Sequence, residues 1–375
     1  MNISHIRHEI PGLLRKHYII AVVMLVVVVS GSYFLLTSRA ASFVVMSEPE
    51  AGKLLTPATV VSNSQASGGG SVQFNGSSPP VTGAKFLGHQ PGKIYLGQSS
   101  GSQPIAQAET QAGGNVGLHR TFQASLTGQS KIIDDDHANN RLPWVEMSGF
   151  GLGAVANGAG WASITSGAHD AQIISFANMY ASKSKPILVA FEHEPSNFGG
   201  AVYAHDFAPA WVHIYDTMKT AINLKNVVFA PIQGEFLWSQ YNKQTPDDYF
   251  NAEMFTRLPF LGVDIYQNAG GTDWQTRLGT IRTYLAAHGR SDLLIGIGEA
   301  GSTNAFTPSG SQYLNTQLSW AFANTDKIAA ISYFNSSANS KPNVYWPLDE
   351  PIKGGDSESK LSVYKRFLAQ STHLP

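Results

Sequence analysis

From residue 85 onward the chain repeats one pattern: a short apolar run, a polar break, then a stretch whose apolar positions recur every three or four residues. The runs fall at 93–97, 118–122, 142–146, 187–191, 227–230, 261–265, 293–297 and 328–334. Runs of this length with no polar alternation predict strands buried on both faces, as in a parallel sheet. Between them, Ile173, Ile174, Ala177 and Tyr180 share one helical face, as do Trp211, Ile214, Tyr215 and Met218; segments 312–323 and 361–368 continue the series. Strands alternating with helices imply right-handed crossovers. Eight repeats imply closure into a (β/α)8 TIM barrel over 85–375, an α/β fold. An open doubly wound sheet is the alternative, but no glycine-rich phosphate loop follows the first strand.

The pattern before residue 85 differs. Residues 18–37 are apolar without a charge, long enough to cross a bilayer as one helix, and Arg7, Arg15 and Lys16 precede them. By the positive-inside rule residues 1–40 read as a cytoplasmic tail and transmembrane signal-anchor, with the rest of the chain exported. Cleavage near Ser38-Arg39-Ala40-Ala41 would instead release a secreted protein. Residues 41–84 carry short alternating runs with glycine turns and predict a small β-rich segment or linker. Their opening, Glu48-Pro-Glu-Ala-Gly52 with Val72-Gln-Phe74, resembles the start of β-sandwich carbohydrate-binding modules, but some forty residues are too few for such a sandwich.

Composition narrows the chemistry. Lys plus Arg number 25 against 26 Asp plus Glu, so no basic field exists to attract nucleic acid. There are no cysteines, which removes disulfides, thiolate metal sites and a thiol nucleophile. Charged residues are 14% of the chain, which suits a surface handling neutral, hydroxyl-rich ligands. No cofactor is implied, and a monomer is expected.

Two of the runs end in a carboxylate and then break. The fourth continues Phe191-Glu-His-Glu194-Pro195, and the seventh continues Gly298-Glu299-Ala-Gly301. Catalytic residues of such barrels gather at the C-terminal ends of the strands, and the fourth and seventh strands face each other across an eight-stranded ring. Two facing carboxyls are the requirement of glycoside hydrolysis. At a separation of about 5.3 Å a second charge costs roughly 3 kcal/mol at an effective dielectric near 20, about two pKa units, so an ionised Glu299 keeps Glu194 protonated.

Phe191-Glu-His-Glu-Pro195, with Val263-Asp-Ile-Tyr266 and Gly298-Glu-Ala-Gly301, resembles glycoside hydrolase family 26, and 161–170 resembles its segment leading into the helix before the fourth strand. The resemblance covers about residues 85 to 370. It implies a retaining mechanism with Glu194 as acid/base and Glu299 as nucleophile. It also implies His193 beside the acid/base on the sugar side, Tyr266 donating its hydroxyl to the nucleophile, and Asp264 in the same polar floor. The run after the acid/base, Pro195-Ser-Asn197, departs from the family's mannanases, so mannan, xylan and β-glucan all remain open.

Aromatic rings that stack on sugar faces are sought in loops after strands, where Trp161, Trp238 and Trp346 stand; Trp211 and Trp320 lie in helical repeats and read as core, and Trp144 fits either place. Glu192, Glu235, His119 and Arg120 are secondary candidates, each with a supporting or ion-pairing role as the competing reading. Asp134-Asp-Asp-His137 could bind a cation, yet consecutive acids cannot all face one ion, and a solvated loop with a helix cap is the plainer expectation. The sequence therefore predicts a β-glycanase acting on a polysaccharide or oligosaccharide. The alternatives are a silent carbohydrate-binding or adhesion protein on the same scaffold, and a metal-dependent barrel hydrolase, which would need a His/Asp cluster at strand ends.

Overall fold

A computed structural model of the chain describes strands 58–62 and 70–74, and residues 84–375 except 100, 102–103, 123–124, 156–157, 199, 240–242, 339 and 342. The chain divides into two compact units, residues 1–77 and 78–375. In the first, β1 (Ala58–Ser62) pairs antiparallel with β2 (Gly70–Phe74). The predicted span 18–37 lies outside the described residues; among those described, no helix is long and apolar enough to cross a membrane.

In the second unit each apolar run coincides with a strand. They are β3 (Tyr95–Ser99), β4 (Leu118–Arg120), β5 (Leu142–Met147), β6 (Ile187–Phe191), β7 (Val227–Phe229), β8 (Ile232–Gly234), β9 (Leu261–Tyr266), β10 (Ile295–Gly301) and β11 (Ile328–Phe334). All pair in parallel, in the order β7-β6-β5-β4-β3-β11-β10-β9-β8. The two ends are halves of one strand split at Ala230-Pro231. Proline has no amide to donate, so the ladder is interrupted there. Ala230 donates to the Val189 carbonyl (2.8 Å), Glu194 to the Ile232 carbonyl (2.9 Å), and Gly262 to the Pro231 carbonyl (2.7 Å). The ring is thereby closed with eight staves, a TIM barrel.

Helices follow the strands in turn: α1 (Ile105–Ala112), α2 (Leu126–Ala138), α3 (Trp161–Thr165), α4 (Asp170–Ala181), α5 (Pro195–Phe198), α6 (Gly200–Ile222), α7 (Ala252–Arg257), α8 (Trp274–Ala287), α9 (Gly310–Ala323) and α10 (Lys360–Leu368). On α4 the buried face is Ile173, Phe176, Ala177 and Tyr180, so Phe176 takes the place expected for Ile174. One apolar cluster fills the layer between sheet and helices, and a second, with Tyr95, Leu118, Trp144, Leu188, Val228 and Phe260, fills the barrel interior. Trp144 is thus core. Its indole occupies space left by Gly262 and Gly296, where an added Cβ would come within 2.6 and 2.9 Å of the ring. With the barrel floor packed shut, only its upper layers are left to hold polar groups.

Candidate active site

Alternation along β10 by itself misplaces Glu299, and along β6, where Leu188 and Ala190 face the interior, it would send Glu192 and Glu194 the same way. On β10, Leu294 and Gly296 face the interior while Ile295 and Ile297 pack outward, so Glu299 would point to the helix layer. A register shift between Ile297 and Glu299 inserts Gly298 as a bulge and pairs Glu299 with Asp264. Bulges re-aim side chains in this way. At the end of β6 the device is different: Glu192 and Glu194 adopt left-handed backbone, at φ 48° and 45°. Such conformations cost on the order of 1–3 kcal/mol each and cluster at functional sites. The first turns Glu192 away toward the loop after β5, where it accepts the Gly149 amide at 2.7 Å. The second brings Glu194 to the mouth.

Glu194, Glu299, Tyr266, Gln267, Phe306, Lys341, Val344 and Trp346 line one cleft of about 470 Å³. Tyr266 donates its hydroxyl to Glu299 Oε2 at 2.5 Å. Burial, and then the Glu299 charge, push the Tyr266 phenol well above its usual range, so it stays a donor. Across the cleft Asn197 donates to Glu194 Oε2 at 2.7 Å. Burial and, after it, the Glu299 charge push the Glu194 carboxyl up to about 7. Glu194 therefore keeps its proton well above the normal carboxylate range.

His193 donates from Nδ1 to Glu146 at 2.9 Å. Burial lowers its pKa, but the hydrogen bond and charge of Glu146 outweigh this and the net direction is up. Glu146 moves down correspondingly, despite its burial. Both shifts favour the charged forms of the pair, and Arg120 lies 3.6 Å from Glu146. Sequence reasoning missed Glu146, and it missed Phe122, whose ring centroid lies 5.2 Å from His193 and 4.4 Å from the Arg120 guanidinium carbon. Glu146 could have been found, since it occupies on β5 the strand-end place that Glu194 and Glu299 hold on theirs.

Several expected sugar contacts are corrected. Trp161 is 1% exposed and packs edge-on against Phe207 at 5.2 Å, so it is core and offers no face to a ligand. Trp238 packs against Phe250 and Tyr284 behind the sheet and does not line the cleft. Trp346 does line it, with its ring 4.9 Å from that of Tyr266. Gly301 makes this approach possible, because a Cβ there would stand 2.4 Å from the Tyr266 ring and 2.9 Å from Trp346. Trp211 is buried against Phe229 and Trp320 packs on the core.

Asp264, expected in the polar floor and as a substrate-binding residue, is a buried group and does not line the cleft. Alternation puts it on the same inward face as Tyr266, one layer deeper. It is 3% exposed, and neither carboxylate oxygen has a hydrogen-bond partner among the described residues. Burial first, then the charges of Glu299 and Glu194, raise its pKa well above the usual carboxylate range. A proton that the folded state keeps and the unfolded state gives up makes stability fall as pH rises through that window. Asp264→Asn removes the ionisation without changing the shape. Its Tm relative to the parent is expected to be level near pH 4 and to gain as pH rises toward 7. A constant difference across that range, in thermal melts, would contradict the assignment.

The secondary candidates are structural. Glu235 pairs with Arg277, whose guanidinium also donates to the Tyr266 carbonyl at 2.6 Å. His119 pairs with Asp136 at 2.9 Å. The stretch expected as a solvated loop, 134–137, lies within α2: Asp134 pairs with Lys183, and Asp135 and Asp136 pair with Arg141. Among the described residues no group of three or more His, Asp or Glu could hold a metal ion.

No protein-family model matches the chain, and no curated protein matches it. Solved structures do. An endo-β-1,4-mannanase double mutant of Cellulomonas fimi is 14% identical, with a TM-score of 0.51 over 74% of this chain and 71% of that one. A family 26 β-mannanase of Bacteroides ovatus is 15% identical, with a TM-score of 0.50 over 73% and 87%. An endo-β-1,4-glucanase of Xanthomonas axonopodis is 15% identical, with a TM-score of 0.50 over 74% and 100%. At these identities the likeness establishes the shared barrel. The neighbours are glycoside hydrolases, among them members of the family that the sequence motifs resemble.

Proposed function

We propose that the chain is a retaining glycoside hydrolase that cleaves a β-linked polysaccharide, with Glu299 as nucleophile and Glu194 as acid/base. The observation that carries the reading is two carboxyls in one cleft with different partners: Glu299 receives the Tyr266 hydroxyl, while the pKa of Glu194 is pushed up to about 7. An ionised carboxylate beside a neutral one is what double displacement requires. In the first step a Glu299 oxygen bonds to the anomeric carbon as the glycosidic bond breaks, and Glu194 gives its proton to the departing oxygen. The ester formed has no charge, so the repulsion that raised Glu194 is gone and its pKa falls. In the second step Glu194 takes a proton from water, the water oxygen bonds to the same carbon, and Glu299 leaves as carboxylate. Trp346 flanks this path and offers an apolar face to the sugar, and His193, on its Glu146 support, stands next to the acid/base in the chain.

The family 26 neighbours make β-mannan the first substrate to try, with xylan, mixed-linkage and β-1,3-glucan beside it. Release of reducing ends from one of these, with the first-formed product retaining the β-anomer by NMR, is the expected result. Binding of a glycan without any release would favour a silent barrel, and an inverted first product would remove Glu299 from the nucleophile's role.

A further inference from the structure

Lys360, on the first turn of α10, is 1% exposed. A buried ammonium is tolerated only when it is fully partnered. Its Nζ lies 2.9 Å from Glu350 Oε2, and it donates to the carbonyls of Ser302 (2.8 Å), Tyr345 (3.0 Å) and Trp346 (3.1 Å). None of these partners belongs to its own helix. Ser302 follows Glu299 by three residues, and the other three lie in the loop after β11 that presents Trp346. Glu350 completes the tie by accepting from Thr303 Oγ1 at 3.1 Å and from the Asn304 amide at 3.0 Å. Thr303 Oγ1 in turn accepts the Tyr345 amide at 3.2 Å. The Trp346 carbonyl also takes the Tyr333 hydroxyl at 2.7 Å.

We infer that Lys360 is a positioning residue: through the Trp346 carbonyl it sets the indole against Tyr266 and Glu299, and so fixes the plane on which a sugar ring is held over the nucleophile. Two features separate this from simple stabilisation. A buried ion pair adds little net stability over apolar residues of similar size. Moreover, every donor of the ammonium is spent where the loop carrying Trp346 meets the end of β10, the strand that carries Glu299. A displacement of about 1 Å at a reacting centre costs up to about 10²-fold in rate, so a loop set loose here is felt in turnover.

The kinetic part of the inference rests on the hydrolase reading; the positional part does not. The test is the double variant Lys360→Met/Glu350→Leu in the full chain, with and without Trp346→Ala. The expected result is a folded protein whose kcat/KM on the cleaved glycan falls at least about tenfold with Trp346 present and by little once Trp346 is already Ala. Equal losses in both backgrounds would show a general structural role and overturn the inference. Acrylamide quenching of Trp346 emission, taken as the difference between each protein and its Trp346→Phe counterpart, is expected to increase in the double variant. Unchanged quenching overturns the inference whether or not any glycan is cleaved. If wild type cleaves none of the panel, the hydrolase reading fails and the quenching result alone decides this one. If the double variant does not fold, Thr303→Val, which removes one hydroxyl of the tie, is judged by the same two readouts.

Discussion

Glu299→Ala is expected to reduce glycan hydrolysis by at least about 10⁴-fold while leaving glycan affinity within a few-fold of wild type. The loss is this large because, in the proposed mechanism, Glu299 forms the covalent bond that divides one difficult displacement into two. Tyr266 cannot substitute, since its phenol is held well above its ordinary pKa and remains a donor to Glu299. Affinity is spared because Trp346, His193 and the cleft walls are untouched, and removing a buried carboxylate relieves repulsion with Glu194 and Asp264. Initial rates and affinity electrophoresis on the same glycan measure the two quantities. In Glu299→Gly, azide at high concentration is expected to restore turnover and yield a glycosyl azide of inverted configuration. A Glu299→Ala protein of full activity would sink the assignment.

Glu194→Gln has the second largest expected effect, a fall of about 10²–10⁴ in kcat/KM on natural glycans. The loss should shrink sharply on aryl glycosides whose phenol leaves without protonation, because the missing proton is the acid's whole contribution to the first step. The pH profile supplies an independent check. Glu194 must carry its proton to act as acid, and its pKa is pushed up to about 7, so kcat/KM of the wild type is expected to decline as pH rises through about 7. In Glu194→Gln that alkaline limb should disappear on the aryl substrate. Were the limb to persist there unchanged, the titrating group would be another one and Glu194 would lose the role. The direction also bears on stability: a carboxyl whose folded pKa is raised contributes stability below its unfolded pKa and loses it as pH climbs. Part of the protein's stability is thus given up at neutral pH to keep this proton available.

These effects depend on side chains whose places the sequence specifies unequally. The barrel was legible because it is repetitive: eight apolar runs, each followed by a helix-period stretch, permit few folds. The interruption at Ala230-Pro231 was not, since it shows only when the halves are seen to pair with different neighbours. Trp161 and Trp238 misled for a related reason. Loop position says that a ring can reach the mouth, while packing against Phe207 in one case and Phe250 and Tyr284 in the other decides that it does not. Glu146 and Phe122 went unread because their importance comes only from what they touch.

What the sequence determined by itself is the scaffold and the chemical cast: periodicity dictates strands and helices, and Glu194, Glu299, His193 and Tyr266 are fixed near strand ends by their place in the chain. What only the tertiary structure decided is orientation. The Gly298 bulge turns Glu299 inward, and left-handed backbone at Glu192 and Glu194 sends one carboxylate to Gly149 and the other to the cleft. Side-chain direction at a strand end is set by backbone freedom that local sequence leaves open. The ladder with neighbouring strands, formed from residues far away in the chain, closes it.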